Sequence, residues 1–146
     1  MPVKPGFQYL DHMTDAFIEA NGSTLEEAFE NAARGLTDTM VDLSQVSAII
    51  EIKVEAKGED LEELLFDWLD KVMLLILTEH LVMSDFKVRI NWLEDNRQYH
   101  LLGIANGEKL DLNKHRYKLE IKAVTYHQMS VAEEDGKFTV RFLLDL

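Results

Sequence analysis

Asp11, His12 and Asp15 belong to residues 11–15, the densest polar cluster between two predicted strands. They lie between two short runs whose side-chain pattern predicts strands. Two carboxylates and an imidazole at such a junction supply donors that bind a cation or transfer protons. The same residue types are common in polar turns, where aspartate accepts hydrogen bonds from free backbone amides. The residue types alone therefore leave both a reactive site and a polar turn open.

The end of the chain offers a second candidate site. Asp145 and Leu146 follow an alternating run that predicts a final strand. Together they supply a side-chain carboxylate, a backbone carbonyl and a terminal carboxylate, and hard cations such as calcium prefer oxygen ligands of this kind. The alternative is an edge strand whose end simply frays.

Basic residues suggest contacts with phosphate, RNA or an acidic partner. Lys122 lies between Ile121 and Ala123, so alternation predicts that it faces away from the core, where it pairs with phosphate or is merely solvated. Residues 113–118 form the one concentrated basic stretch and could contact RNA or an acidic partner. No two histidines have the i, i+4 spacing of a helical zinc site, and the sequence has no phosphate-binding glycine loop.

Length and charge limit the remaining function classes. The 146 residues suit one domain, 1–146, in which residues 1–6 are expected to form a flexible N-terminal segment. The formal net charge of -12 disfavours autonomous binding to nucleic acid or anionic membranes. The absence of cysteine excludes disulfides and thiolate zinc sites. The longest apolar run, 72–77, is far too short to span a bilayer, and no signal peptide is visible. We therefore expect a soluble protein of the cytoplasm.

Two periodicities predict the elements that position these residues. Apolar residues three and four apart predict helices over 24–43, with a capping box at Thr24 and Glu27, and from Asp60 to about Leu81. The second helix has the broader apolar face and is expected to be the best buried. Alternation predicts strands at 7–10, 16–20, 50–56, 86–92, 99–103, 116–126 and 138–144, with turns at 94–97, 106–107 and 135–136. The fold class is α+β, with two helices packed on one face of a mostly antiparallel sheet of six or seven strands.

Longer blocks of the sequence resemble a known family. Residues 9–15, which read Y-L-D-H-M-T-D, and residues 22–33 are similar to blocks of the archease family. So are residues 58–69, the run E-I-K-A-V-T-Y-H at 120–127 and the ending F-L-L-D-L at 142–146. The blocks occur in the family's order over nearly the whole chain. The family usually reads D-H-T-A-D where residues 11–15 read D-H-M-T-D, so both aspartates and the histidine are kept.

The resemblance implies a small non-catalytic protein that activates RtcB-type RNA ligases in tRNA splicing by promoting ligase guanylylation and turnover. It also implies a calcium site made by the second aspartate of the first motif and the last two residues, here Asp15, Asp145 and Leu146. A lysine in the K-A-x-T-Y block is implicated in activation, and Lys122 matches it. Other divalent cations are alternatives to calcium. The tRNA would be reached only through the ligase.

Two other functions stay open at this point. One is a chaperone or modulator of a tRNA-modifying enzyme such as a tRNA methyltransferase, a role that has been linked to proteins of this kind and suits an acidic surface. The other is a metal-dependent hydrolase that uses Asp11, His12 and Asp15, although the sequence has no recognisable nucleophile or complete ligand set. Stimulation that survives loss of the metal site would favour the first, and phosphoester turnover by the chain alone would favour the second.

Overall fold

The computed structural model describes residues 6–10 and 15–146. Two α-helices, a short 3₁₀ helix and seven strands follow one another in this part of the chain. The helices are α1 (Leu25–Met40) and α2 (Leu61–Leu77), and the 3₁₀ helix is Leu43–Gln45. The strands are β1 (Phe7–Leu10), β2 (Asp15–Gly22), β3 (Ile50–Gly58), β4 (Leu81–Leu93), β5 (Gln98–Lys109), β6 (Ala123–Glu134) and β7 (Lys137–Asp145).

The strands pair in two antiparallel sheets, which confirms the predicted α+β class. One sheet has four strands in the order β1-β2-β7-β6, and the other has three in the order β3-β5-β4. Alternation predicts strands but not their partners, so the division into two sheets cannot be read from the sequence. Helix α1 contacts β2 and β4, and α2 contacts β3 and β6. Both helices therefore pack against both sheets around one continuous core.

Helix α1 begins at the predicted cap. The Glu27 amide donates to the Thr24 hydroxyl at 3.0 Å, and the Ser23 amide donates to the Glu27 carboxylate at 3.0 Å. The Glu27 side chain thus reaches one residue beyond the cap, whereas the standard capping box uses the amide of the cap itself. The helix ends at Met40, short of the predicted residue 43, because Val41 is extended and forms a β-bridge with a later segment.

Helix α2 also begins as predicted, since the Glu63 amide donates to the Asp60 carboxylate at 2.8 Å. It ends at Leu77 instead of near Leu81, because Leu81 already pairs in β4 and His80 has a left-handed φ of 56°. The prediction that α2 is the best-buried helix is wrong. Nine of the 16 residues of α1 are buried, against seven of the 17 in α2. Small residues in α1 allow both sheets to approach it closely.

Trp68 has the largest fully buried side chain among the described residues, and it joins the two helices to the three-stranded sheet. Its indole N–H donates to the Phe29 carbonyl at 2.9 Å. Its ring meets Phe86 of β4 edge to face, with 5.9 Å between the ring centroids. The apolar surface of the indole is therefore buried without leaving its one donor unsatisfied.

The turn predicted at 106–107 is wrong, since both residues lie inside β5. A Cβ at Gly107 would collide with the Val82 carbonyl and lie 2.6 Å from the Met83 Cα. The register of β4 against β5 also shifts between Met83 and Asp85 at this point. Glycine is needed here because two backbones approach closely, which is the other common reason for glycine within a strand.

The strand predicted over 116–126 forms only in its second part, because β6 begins at Ala123. Residues 110–122 cross from the three-stranded to the four-stranded sheet, with a β-bridge at Tyr117 on the way. The Lys118 amide donates to the Met40 carbonyl at 2.7 Å, so this segment covers the end of α1. Ile121 is buried, whereas Tyr117 and Leu119 are 40% and 48% exposed, so the alternating pattern in this segment marks neither a strand nor a side packed on the core.

The predicted N-terminal segment, 1–6, lies outside the described residues except for Gly6, whose carbonyl accepts the Asn21 amide at 2.8 Å. Asp11 and His12 also lie outside them. Neither helix of the described chain combines the length and the apolar character needed to cross a membrane.

Candidate metal site

Asp15 and Asp145 are direct partners at one end of the four-stranded sheet. They pair in the antiparallel ladder of β2 and β7, next to the pair Ala16 and Leu144. Because Ala16 and Leu144 are buried, alternation places both carboxylates on the sheet face that points away from the core. Directly opposed side chains in such a ladder have Cβ atoms about 5 Å apart. The register therefore brings two carboxylates within reach of one cation.

Leu146 adds the end of the main chain to this pair. Its side chain is partly buried against the core, and it shares the lining of a cavity of about 400 Å³ with Asp15. Anchoring of the side chain holds the terminal carboxylate at the sheet end, where an unanchored last residue would fray. The three residues predicted as metal ligands thus lie together.

Lys122 lies at the same sheet end, one residue before β6 begins. Its amide donates to the Asp145 carbonyl at 2.7 Å, and the next residue, Ala123, pairs with Asp145 in the ladder. The Lys122 side chain is exposed, as the alternation predicts. The structure therefore brings all four predicted site residues to one place, with Lys122 fixed through its backbone.

A second polar group lines the same cavity and was not singled out from the sequence. Asp38 of α1 accepts hydrogen bonds from the Tyr9 hydroxyl at 3.1 Å and the Leu43 amide at 3.2 Å, and the Lys118 ammonium lies 3.3 Å from it. Burial, opposed by a hydrogen bond with Thr39 and helped by the charge of Asp38, raises the pKa of Tyr9 to about 12. Tyr9 is therefore a neutral donor at physiological pH.

This cluster ties three parts of the chain together beside Asp15. Tyr9 belongs to β1, Asp38 to α1, and Lys118 to the segment that crosses between the sheets. Nothing in the local sequence distinguishes Asp38 from other polar residues on the helix. Its two side-chain partners, Tyr9 and Lys118, lie 29 and 80 residues away along the chain, so local spacing does not reveal the cluster.

Three basic residues of the stretch 113–118, namely Lys114, His115 and Lys118, contact carboxylates of the protein itself, although His115 alone of the stretch is buried. The Lys114 ammonium lies 2.7 Å from one carboxylate oxygen of Glu108, and the buried His115 Nε2 lies 2.9 Å from the same oxygen. The Asp111 amide donates to His115 Nδ1 at 2.8 Å, which leaves the proton on Nε2 for Glu108. These hydrogen bonds, with one from the Ser47 amide, lower the pKa of Glu108 to about 2. The contacts of Lys114 and His115 with Glu108 hold this segment in place and leave few of its charges for RNA.

The donors that Asp15, Asp145 and the terminal carboxylate of Leu146 offer to a cation are hard oxygens. Within residues 6–10 and 15–146, no three histidine, aspartate or glutamate side chains converge on a metal-sized space. Among the described residues, the terminal carboxylate of Leu146 is a further oxygen donor near the pair Asp15 and Asp145. Two aspartates and a chain terminus suit calcium or magnesium far better than zinc or copper, which prefer nitrogen and sulfur.

Comparisons with known proteins show the family of the chain. A model of the archease protein family (MTH1598/TM1083) matches residues 7–146. The chain is 43% identical over 141 residues to protein archease of Methanothermobacter thermautotrophicus, covering 97% of this chain and 99% of that one.

The chain belongs to the archease family.

A second archease, from Pyrococcus furiosus, is 40% identical over 141 residues, covering 96% of this chain and 98% of its own. The solution structure of Methanobacterium thermoautotrophicum protein 1598 superposes with a TM-score of 0.79 at 39% identity, covering 98% of this chain and 100% of that one. The crystal structure of an archease from Thermotoga maritima, described as a possible chaperone, superposes with a TM-score of 0.57 at 18% identity, covering 95% and 96%. The similarity to the Thermotoga maritima protein concerns the fold alone.

Proposed function

We propose that this archease is a cytoplasmic, non-catalytic activator of an RtcB-type RNA ligase in tRNA splicing. The observation that carries the proposal is the pairing of Asp15 with Asp145 beside the anchored C-terminal Leu146. Family membership supports the same role, since the residues that the family resemblance assigns to calcium are the ones that meet here. The net charge of -12 favours contact with the ligase over direct contact with tRNA.

The proposed cation is calcium, with magnesium or manganese as alternatives. Calcium takes six to eight oxygen ligands, so the two side chains and the terminal carboxylate leave positions for water or for groups of a partner. When bound, the cation would supply positive charge for phosphate oxygens of the ligase's nucleotide. The residues of this chain hold that charge at an exposed sheet end, where a partner's cleft can enclose it.

Lys122 has a separate task in this proposal. Its backbone is fixed to Asp145, while its exposed ammonium carries a charge that can offset phosphate as a point charge. Electrostatic stabilisation of charge that develops during guanylyl transfer is the type of contribution expected from such a group. The lysine would therefore affect stimulation without being needed for cation binding.

The test is a reconstituted ligase assay. Ligase guanylylation and multiple-turnover RNA joining are measured with the parent chain and with Asp15→Ala, Asp145→Ala and Lys122→Ala, after each variant is shown to be folded. Glu133→Ala, at the opposite end of the β6–β7 hairpin, is the matched control. The aspartate variants should lose both calcium binding and stimulation, while Lys122→Ala should lose stimulation and keep calcium. Full stimulation by all three variants contradicts the proposal.

A modified C-terminus gives an independent check. A tag placed after Leu146 converts the terminal carboxylate to an amide and extends the chain, so it should weaken calcium binding more than a tag before residue 1. Equal effects of the two tags would remove the chain terminus from the ligand set.

The alternative role is that of a chaperone or modulator of a tRNA-modifying enzyme such as a tRNA methyltransferase. It is favoured by one observation, the exposed aliphatic side chains on the three-stranded sheet, because chaperones use such surfaces to hold apolar segments. Stimulation or solubilisation of the enzyme by Asp145→Ala as well as by the parent chain would select this role.

A further inference from the structure

The outer face of the three-stranded sheet exposes aliphatic side chains at its centre. Leu102 and Ile104 of the central strand β5 are 45% and 39% exposed, on the side opposite to the buried Leu101 and Ala105. Leu93 of β4 is 37% exposed further along the same face. Exposed apolar side chains that adjoin one another on a sheet mark a candidate contact surface more strongly than scattered ones.

Cations flank these side chains in the strand register. Leu102 lies opposite Arg89 of β4, and Ile104 lies between Lys53 of β3 and Lys87 of β4. We call these five residues the outer β5 face. They line a depression of about 470 Å³, to which Glu55 contributes the one carboxylate.

The three cations of the outer β5 face outnumber the one carboxylate that shares the depression, Glu55, and the charge of Lys87 also acts on Glu30 of α1. Lys53, Lys87 and Arg89 are exposed, and none takes part in an ion pair within residues 6–10 and 15–146. The chain as a whole has a net charge of -12, so this face attracts anions while most of the surface repels them. Its partner should therefore carry negative charge.

The face is rigid, because the core supports it from behind. A Cβ on Gly103, which lies between Leu102 and Ile104, would be 3.1 Å from the Trp68 ring. The strand is thus pressed against the largest buried side chain of the described residues. A surface that needs little reordering loses less entropy when it binds.

Helix side chains cover parts of both sheet edges. The Val88 amide of β4 donates to Glu30 at 2.9 Å, and the Lys57 amide of β3 donates to Asp67 at 2.9 Å. These contacts block the addition of a further strand at those positions. A partner must therefore contact the outer β5 face through side chains.

We propose that the outer β5 face binds an acidic amphipathic segment of a partner protein, with aliphatic residues on Leu102 and Ile104 and carboxylates on Lys53, Lys87 and Arg89. This site lies on a different sheet from Asp15 and Asp145, and the proposal does not depend on the proposed function. A segment that binds a groove as a helix contacts it through aliphatic residues three or four positions apart.

The composition of the outer β5 face favours an acidic protein segment over single-stranded RNA and over a second copy of this chain. Single-stranded RNA stacks its bases on aromatic side chains, whereas this face has aliphatic ones. A second copy bound through the same face would bring cations against cations around the two-fold axis, which is unfavourable. An acidic segment meets neither obstacle.

The test uses the full chain and a synthetic helical peptide of about 16 residues, with leucine at every third or fourth position and glutamate elsewhere. Amide signals of Leu102, Ile104 and their neighbours should shift in ¹⁵N spectra and saturate. Lys87→Glu combined with Arg89→Glu should raise the dissociation constant at least tenfold, and replacing the peptide's glutamates with lysine should abolish binding. Because the second change leaves the protein intact, it does not depend on the folding of any variant.

Matched charge reversal elsewhere is the control. Lys137→Glu with Arg116→Glu changes the net charge equally at exposed positions outside the face, and it should leave the dissociation constant within twofold. Equal losses in both double variants would mean non-specific attraction and overturn the proposal. So would an absence of saturable shifts at the face, tighter binding of a uridine oligonucleotide there, or concentration-dependent dimerisation that shifts the same signals.

Discussion

Removing one of the two facing aspartates should change stability in opposite directions with and without a divalent cation. Asp145→Asn keeps the shape of the side chain and removes its charge opposite Asp15. Like charges directly opposed in an antiparallel pair destabilise it, by about 0.5 kcal/mol for an exposed pair. For a domain of this length that corresponds to a rise in Tm of about 2 °C for the variant in a chelator.

Calcium should make the parent chain more stable than Asp145→Asn, the reverse of the order in a chelator. At a calcium concentration about 100 times the Kd, the parent chain gains ~2.7 kcal/mol, because the cation binds the folded state alone. A variant with one carboxylate fewer and an affinity about tenfold weaker gains ~1.4 kcal/mol at the same concentration. The parent should then be more stable than Asp145→Asn by about 0.8 kcal/mol, or roughly 3 °C in Tm.

The assay is thermal unfolding followed by circular dichroism in chelator and in calcium, with the Kd of each protein from calorimetric titration. Glu133→Gln removes a charge at the far end of the same hairpin and should shift Tm equally in both buffers. If Asp145→Asn lowers Tm by the same amount with and without calcium, the two aspartates do not form a cation site, and its effect is one of packing or hydrogen bonding.

Three further changes test the structure. Glu108 has a folded pKa of about 2 against an ordinary value of 4.5, mainly because of the Lys114 hydrogen bond. The ionised side chain therefore stabilises the fold fully above pH 4.5, and this stabilisation is lost as the pH falls towards 2. Glu108→Gln should make the stability less dependent on pH in that window, as measured by acid unfolding. Trp68→Phe removes the hydrogen bond that the indole donates to the Phe29 carbonyl and leaves a void in the core, and it should cost about 2–3 kcal/mol in urea unfolding with an unchanged m-value. Gly107→Ala forces two backbones apart and should cost about 2 kcal/mol or more in the same measurement, whereas a cost below the error would show that β4 adjusts freely.

The helices and most strands could be predicted because their signals are local. Thr24 and Asp60 cap helices through the amides three residues later, and the alternation in β3 requires no knowledge of its partner. The errors arose where a local signal has two causes. Gly107 satisfies a close backbone approach that resembles a turn signal, and residues 116–122 alternate like a strand although only Ile121 of their apolar residues is buried.

The candidate site could be predicted only in part for the same reason. Family resemblance selected Asp15, Asp145, Leu146 and Lys122, but their meeting depends on the pairing of β2 with β7 and β6, which joins the two ends of the chain. Hydrophobic alternation sets which face a residue occupies and leaves its partner strand open. Asp38 escaped notice because its three partners come from separate segments, so no local spacing reveals it.

Net charge predicts partners poorly when the distribution of cations is ignored. Several cations of this chain lie 2.7–3.3 Å from carboxylates and contribute little external field; these are Lys71, Lys114, Lys118 and Arg141. The three on the outer β5 face have no such pairs in the described chain and gather around exposed aliphatic side chains. A protein with a net charge of -12 therefore has a locally basic surface on one sheet and an acidic end on the other. A partner complementary to both would need a cation-accepting cleft and an acidic segment, a combination that net charge alone would have excluded.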